Sequence, residues 1–449
     1  MTAGGAMPLL QRVWRRHRHL LAVLAALFAG LGLALSEACA AEDLLAVYEQ
    51  ARAADPLLAA AEARLGVQRE AAVQARAALL PQWRLDAGEV RVLDGGARGH
   101  ELGTRLQQPL LDLGRMRTLD AERTLTTAQE TRRRAAEQSL AARVAQAYFG
   151  LLSAQAALAT ARTNESAFAA QVAHTEARFG SGLAAAVDVE QSRTYHALSR
   201  GATVQAQRAL DQARAAIAQL TGRTPGALRP LAPALRPEPP RPADPEAWVA
   251  RALEANPELQ ALALELEAGE RRIAAARAVH APTLVASLDS QRPGGPAGAA
   301  AERGRTTTTV ALQLSVPLFA GGATESAVRQ AAYRRDLARE DLQAARLAVA
   351  RETRAQHAAL LAAAALLETT AEAVDAARRA LEATRTGQAL GTRSNTDLLL
   401  AIQTQAEARN AHDQARHAWV LARLLLLQAA GSLGPTELAA ANALLQGDR

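Results

Sequence analysis

The chain has 449 residues, 49% hydrophobic but only 3% aromatic, and all 51 of its basic residues are arginine. So few rings exclude several conventional aromatic-packed cores, and a text rich in Ala, Leu, Arg, Glu and Gln favours long helices that approach each other closely. The net charge of +6 falls to +3 if residues 1–40, with four arginines and Glu37, are removed, and no basic block interleaves with base-stacking aromatics, so a nucleic-acid partner is excluded.

Residues 1–40 read as a signal peptide. Arg12, Arg15, Arg16 and Arg18 form a basic region, Leu20 to Leu35 an apolar run, and Ala38-Cys39-Ala40 a small-x-small cleavage site. The run is shorter than the roughly 20 residues that a spanning helix needs. Cleavage after Ala40 would remove Cys39, the sole cysteine, and with it any thiol chemistry. Acylation of Cys39 is the alternative, but Ser36-Glu37-Ala38 is a poor lipobox.

From Glu42 to Ala78 the text is helical, broken at Asp55-Pro56, and Pro81 ends it. Residues 82–93 alternate roughly and predict a strand. Gly95-Gly96 turns it back into a second strand at 101–110, where Leu102, Leu106 and Leu110 share one face. Residues 112–179 then predict one helix of about 100 Å at 1.5 Å per residue. Gly180 and Gly182 interrupt it, and a returning helix runs from about Val187 to Leu220. Thr224 to Pro245 holds eight of the 18 prolines and reads as a linker.

After this linker the first half begins again. Ala255-Asn256-Pro257 echoes Ala54-Asp55-Pro56, and Pro282 echoes Pro81. A third strand lies at 283–291. A fourth follows a glycine-rich loop, with Val310, Leu312, Leu314, Val316 and Leu318 alternating with small or polar residues. Pro317 and the pair Gly321-Gly322 end it, as Pro109 ends the strand of the first half. A second long helix over about 322–386 carries Leu360, Ala364, Leu367, Ala371, Val374 and Leu381 at three-four spacing, a coiled-coil seam. Gly387 and Gly391 break it, and a return helix starts at Asn395.

The domain reading is therefore a signal peptide at 1–40, a first repeat at 41–223 and a linker at 224–245, followed by a second repeat at 246–433 and a tail at 434–449. The first repeat holds a strand hairpin at 82–110 and a helical hairpin at 112–221. The second holds a strand hairpin at 283–318 and a helical hairpin at 322–431. Four strands of about ten residues each suit a membrane crossing. They cannot close a barrel alone, and an open edge in lipid costs several kcal/mol per unpaired group. Three copies with about twelve strands would close one. The expected fold is mainly α with a membrane β-barrel: long coiled-coil-like helical hairpins plus four strands per chain, closed in a trimer. Val310, Leu312 and Leu314 should face lipid, and Gln313 and Ser315 the lumen.

Nothing in the text points to catalysis. The histidines are scattered, His412 and His417 stand five apart rather than at a ligand spacing, and no phosphate-loop, zinc-protease, nucleophile-elbow or dinucleotide pattern occurs. No enzyme activity, cofactor or metal is expected. A periplasmic coiled-coil adaptor or scaffold without a barrel is the rival architecture, though it would not need membrane-facing strands.

The mature text resembles the TolC-like outer-membrane channel family over nearly its whole length. The resemblance is carried by Asp43-Leu44-Leu45-Ala46-Val47-Tyr48-Glu49-Gln50-Ala51-Arg52, Leu79-Leu80-Pro81, Gln108-Pro109-Leu110, Val316-Pro317-Leu318-Phe319-Ala320-Gly321-Gly322, and Gly391-Thr392-Arg393 with Asp397. It implies a homotrimer with a barrel in the lipid of a Gram-negative outer membrane and a helical tunnel in the periplasm. It also implies an exit duct for type I secretion or multidrug efflux, docked through a periplasmic adaptor to an inner-membrane ABC or RND-type pump. Gly182 and Asp188 are six apart, as are Gly391 and Asp397. Either aspartate could simply cap a helix. The resemblance instead implies a periplasmic gate, with Asp397 as a lumen carboxylate and Arg393 as a cation reaching Val187 and Asp188. Gln388 stands where the family has a locking tyrosine, and Leu400 where it has a second lumen aspartate.

Overall fold

The computed structural model describes residues 41–91, 98–233, 235–294 and 305–446. The signal peptide, its cleavage site and Cys39 lie outside these residues, as do the Gly95-Gly96 turn and most of the glycine-rich loop before the fourth strand.

Two short helices open the described chain, α1 (Leu44–Ala54) and α2 (Pro56–Ala77). Asp55 separates them by accepting from the Leu58 amide at 3.1 Å, with Pro56 at the first helical position where no amide donor is required. The strand pair β1 (Gln82–Arg91) and β2 (Arg98–Leu111) feeds α3 (Leu113–Gly180), and α4 (Ala186–Thr221) returns. The order then recurs as α5 (Pro245–Ala255), α6 (Pro257–Arg277), β3 (Thr283–Gly294), β4 (Thr307–Ser315), α7 (Ala323–Ala389) and α8 (Asn395–Ala429), before a short α9 (Pro435–Asn442). Asn256 repeats the role of Asp55, accepting from the amides of Glu258 at 2.9 Å and Leu259 at 3.3 Å. With 68 and 67 residues, α3 and α7 are each about 100 Å long.

The strands form one antiparallel sheet in the order β1-β2-β3-β4. Directly paired residues share a face, so the register sorts the side chains. Trp83 pairs with Leu106, Leu106 with Leu288, and Leu288 with Val310, while Ala286 pairs with Leu312 and Leu284 with Leu314. This face is apolar and bare: Trp83, Leu312 and Leu314 are 81%, 67% and 64% exposed. The opposite face aligns Arg84, Arg105, Asp289 and Thr309 in one row, and Arg105 and Asp289 form an ion pair there. Gln313 and Ser315 belong to this polar face.

Pro109 is not the exit from its strand. It lies inside β2 opposite Val285, and the register shifts between Pro109 and Leu111, a bulge that absorbs the missing amide donor. The chain leaves β2 at Asp112, whose carboxylate caps α3 by accepting from the Arg115 amide at 2.9 Å. In the second half β4 ends at Ser315, earlier than the alternation predicts. Pro317 follows it, and Gly321 and Gly322 at φ +61° and +84° turn the chain into α7.

The core lies midway along α3, where Leu140, Val144, Tyr148, Phe149 and Leu151 pack with Leu44 and Val47 of α1, Trp419 and Leu424 of α8, and Leu438 of α9. Residues 224–245 are not a slack linker. Leu228 and Leu231 are buried in this core, and the Tyr148 hydroxyl donates to the carbonyls of Glu42 at 3.2 Å and Arg229 at 2.9 Å. Prolines set the path of this segment, while the leucines between them anchor it.

Candidate functional site at the helical tips

Each helical hairpin ends in a left-handed glycine. Gly182 has φ +73°, and the Leu183 amide closes the end of α3 on the Arg178 carbonyl at 2.8 Å. Gly391 has φ +75°, with the Thr392 amide on the Gly387 carbonyl at 2.8 Å. A side chain at 182 or 391 would meet only open space, so backbone conformation alone calls for glycine there. Gly180 and Gly387 are not the left-handed residues of these turns. Gly180 is the last residue of α3, and Gly387 lies within the final turn of α7, where the stem of Arg393 packs against it.

The two aspartates are capping groups. Asp188 accepts from the Ala185 amide at 3.2 Å. Asp397 accepts from the Ser394 amide at 3.0 Å, and Ser394 Oγ accepts the Asp397 amide at 3.1 Å, a closed capping box at the start of α8. The hydrogen bonds from the Ser394 backbone and side chain, then the nearby Arg393 charge, hold the Asp397 carboxyl below the usual range. Arg393 is exposed, and among the described residues it forms no ion pair with Asp188. The expected cationic link between hairpins is therefore absent within one chain.

Other residues make the cross-hairpin contacts. Asn395 Nδ2 donates to the Asp188 carbonyl at 3.2 Å and to Ser192 Oγ at 2.9 Å, while its Oδ1 accepts from Gln171 Nε2 at 2.7 Å. Gln388 Nε2 approaches the same Oδ1 at 3.5 Å. Beside it, Thr396 Oγ1 donates to Gln191 Oε1 at 2.8 Å. Behind this polar layer Phe168, Leu381, Leu398, Leu399 and Ile402 form a second, separate apolar cluster with Tyr195 against it. The four residues Asn395, Leu398, Leu399 and Ile402 follow the i, i+3, i+4, i+7 pattern of one helix face. That spacing was the available sequence signal that Asn395 points inward. Among the described residues no group of His, Cys, Asp and Glu could hold a metal ion.

The arrangement can hold two hairpins together or let them part; it has no nucleophile, base or oxyanion donor set. Comparisons with known proteins agree. The family model described as outer membrane efflux protein matches residues 47–223 and 248–432. The outer membrane protein TolC of Vibrio cholerae serotype O1 is 30% identical over 423 residues, covering 92% of this chain and 96% of the relative. The alkaline protease secretion protein AprF of Pseudomonas aeruginosa is 30% identical over 437 residues, covering 93% and 90%. Among solved structures, CusC superposes with a TM-score of 0.77 at 19% identity over 87% of this chain and 92% of its own. The outer membrane protein VceC of Vibrio cholerae gives 0.75 at 21% identity over 86% and 96%. With both halves matched and relatives alike along nearly their full length, the chain belongs to the outer membrane efflux protein family, a family of transport channels of the outer membrane and not of enzymes.

Proposed function

We propose that three copies close a twelve-stranded barrel in the outer membrane and continue it as a helical tunnel across the periplasm. This duct is the exit of a tripartite export system. It receives secreted protein or small toxic compounds from an inner-membrane ABC or RND-type pump through a periplasmic adaptor. The single observation that carries the reading is the sheet: β1 and β4 stand at its two ends, and its apolar face is bare. Such a face needs lipid, and such edges need neighbouring copies. An adaptor without a barrel would leave that face without an occupant, and the family match argues against it.

Within the duct, each copy contributes two structural repeats, 41–223 and 246–433, joined by the strap at 224–245. The tips form the periplasmic gate. Gly182 and Gly391 shape its turns, and Asp188, Gln388, Arg393 and Asp397 line its mouth. Arg393 and Asp397 are exposed at the second tip, which supports contacts from them to a neighbouring copy. Chemical cross-linking in outer-membrane fractions should trap a trimer together with an adaptor and a pump, and the purified protein should conduct in planar bilayers. A detergent-independent monomer in the soluble fraction would overturn the reading.

A further inference from the structure

Asn395 joins all four tip helices of one protomer through a single amide. Its two N–H donors go to α4, at the Asp188 carbonyl and Ser192 Oγ, and its oxygen accepts from Gln171 of α3 and faces Gln388 of α7. A side-chain amide has two donors and two acceptor sites, so its full capacity is engaged. The chemistry of the partners dictates its orientation. A backbone carbonyl only accepts, so the edge facing Asp188 must be the NH2. Ser192 commits its own hydroxyl proton to the Asp188 carbonyl at 2.9 Å and keeps a lone pair for Asn395.

Two of these partners are more deeply buried than Asn395 itself: Gln171 and Ser192 are 8% and 0% exposed, and Thr175, which bonds both of them, is 3% exposed. Among the described residues, the charges nearby do not link the two hairpins of one chain: Asp188 and Asp397 cap helices, Arg193 pairs with Glu176 and Glu190 inside the first hairpin, and Arg393 forms no ion pair with Asp188. The side-chain bonds across the two hairpins at the tip are thus, among the described residues, neutral hydrogen bonds with an apolar cluster behind them.

We propose that the Asn395 amide is the latch between the two helical hairpins of each protomer, and that the latch is insensitive to salt because no ion pair contributes to it. The proposal rests on the reading of the tips as the gate for its functional meaning, but its structural content stands apart. Withdrawing Asn395 takes from buried Gln171 its 2.7 Å acceptor and from buried Ser192 one of its donors, so the tip should part cooperatively rather than fray one bond at a time.

The test uses the full protein reconstituted in lipid, with hydrogen exchange read at the first turns of α4 and α8 and conductance read in planar bilayers. Asn395→Asp keeps the shape but removes both donors, and Asn395→Ala removes the whole group. Each should speed exchange at both first turns by about tenfold or more, while core amides around Tyr148 stay protected and report an intact fold. Asn395→Ala and Gln171→Ala should be strongly non-additive, since they cut the same link from opposite hairpins. In the unaltered protein, raising salt to about 1 M, where screening reaches about 3 Å, should leave tip exchange unchanged. Unchanged exchange at α4 in both Asn395 variants overturns the latch, and so does salt-driven opening of the unaltered protein. If exchange quickens while conductance stays constant, the latch holds and the gate reading falls.

Discussion

Arg143 grips Asp55 with both nitrogens of its fork, Nη1 to Oδ1 at 3.1 Å and Nη2 to Oδ2 at 2.6 Å, while Asp55 also caps α2. Asp55 is 4% exposed, so one carboxylate both starts a helix and ties it to the middle of α3. The Arg143 hydrogen bond, reinforced by the Leu58 amide, holds the carboxyl below its usual range despite burial. A depressed carboxyl contributes stability above its unfolded pKa that is lost as pH falls through its folded value. Asp55→Ala should cost about 3–5 kcal/mol, because it leaves a partly buried guanidinium without its partner and removes a cap. The difference between melting curves of wild type and variant should shrink as pH falls below the ordinary carboxylate range, where the wild-type carboxyl also becomes protonated.

His417 acts in a different pH window. It is buried beside Phe149, shares a 2.9 Å hydrogen bond with Ser153 Oγ, and has its pKa pushed down to about 4 by burial, with the Arg416 charge adding to this. The unfolded chain takes up a proton near pH 6.5, whereas the folded chain does not until about 4. Stability should therefore fall as pH drops from about 6.5 to 4, by roughly 3 kcal/mol per protomer. His417→Phe should flatten most of that slope in thermal melts. A residual slope should remain from His412, whose pKa burial also lowers.

The two faces of β4 should respond in opposite ways to charge. Arginine at Leu312, on the apolar face, should cost roughly 2–4 kcal/mol of barrel stability if it lies near the membrane midplane. Arginine at Gln313, on the polar face, should chiefly alter conductance. Urea titrations in lipid vesicles, with conductance measured alongside, separate the two. Equal losses at both positions would contradict the register.

Two left-handed glycines should differ sharply in cost. A Cβ at Gly391 meets nothing within 4 Å, so Gly391→Ala should cost only the conformational strain, about 1 kcal/mol. At Gly431 a Cβ would come within 2.6 Å of Asn256 Cα and 2.7 Å of the Ala255 carbonyl oxygen, both backbone atoms that cannot swing aside. Gly431→Ala should lower the melting temperature well beyond Gly391→Ala.

At the proposed gate, Arg393→Ser should raise single-channel conductance and Asp397→Ala should weaken cation preference and block by multivalent cations. Exposed ion pairs contribute only about 0–1 kcal/mol each, so the changes should be graded rather than all-or-none. If both variants conduct and select like wild type, Arg393 and Asp397 serve the helix end alone.

Where the determinants are local, they can be read from the sequence. The alternation through Val310, Leu312 and Leu314 identifies β4 because one sheet face is apolar and the other polar. Asp55-Pro56 and Asn256-Pro257 mark helix starts through their own side chains. Where a partner is distant, the reading fails. Pro109 suggests a strand end, but pairing with β3 carries β2 past it through a bulge. The proline-rich text around Leu228 and Leu231 suggests a slack tether, but a helix some eighty residues upstream supplies the Tyr148 hydroxyl that pins it. Arg393 is conspicuous in the sequence by its charge, whereas the hydrogen bonds of Asn395 across the hairpins are not. Apart from Gln388, the partners of Asn395 lie more than two hundred positions away in the first half of the chain.

The length of α3 makes it a lever. Its middle is clamped in the main core at Leu140 to Leu158, and its far end at Gly180 extends past that clamp by some 20 residues, or about 30 Å. Without a proline in its body, the rod has no built-in joint. A tilt of about 5° at the clamp would move the tip by about 3 Å, on the scale of helix shifts known to switch packed interfaces. Repacking one ring such as Phe149 at the fulcrum would therefore shift tip residues that it never touches, so a change at the proposed mouth need not originate there.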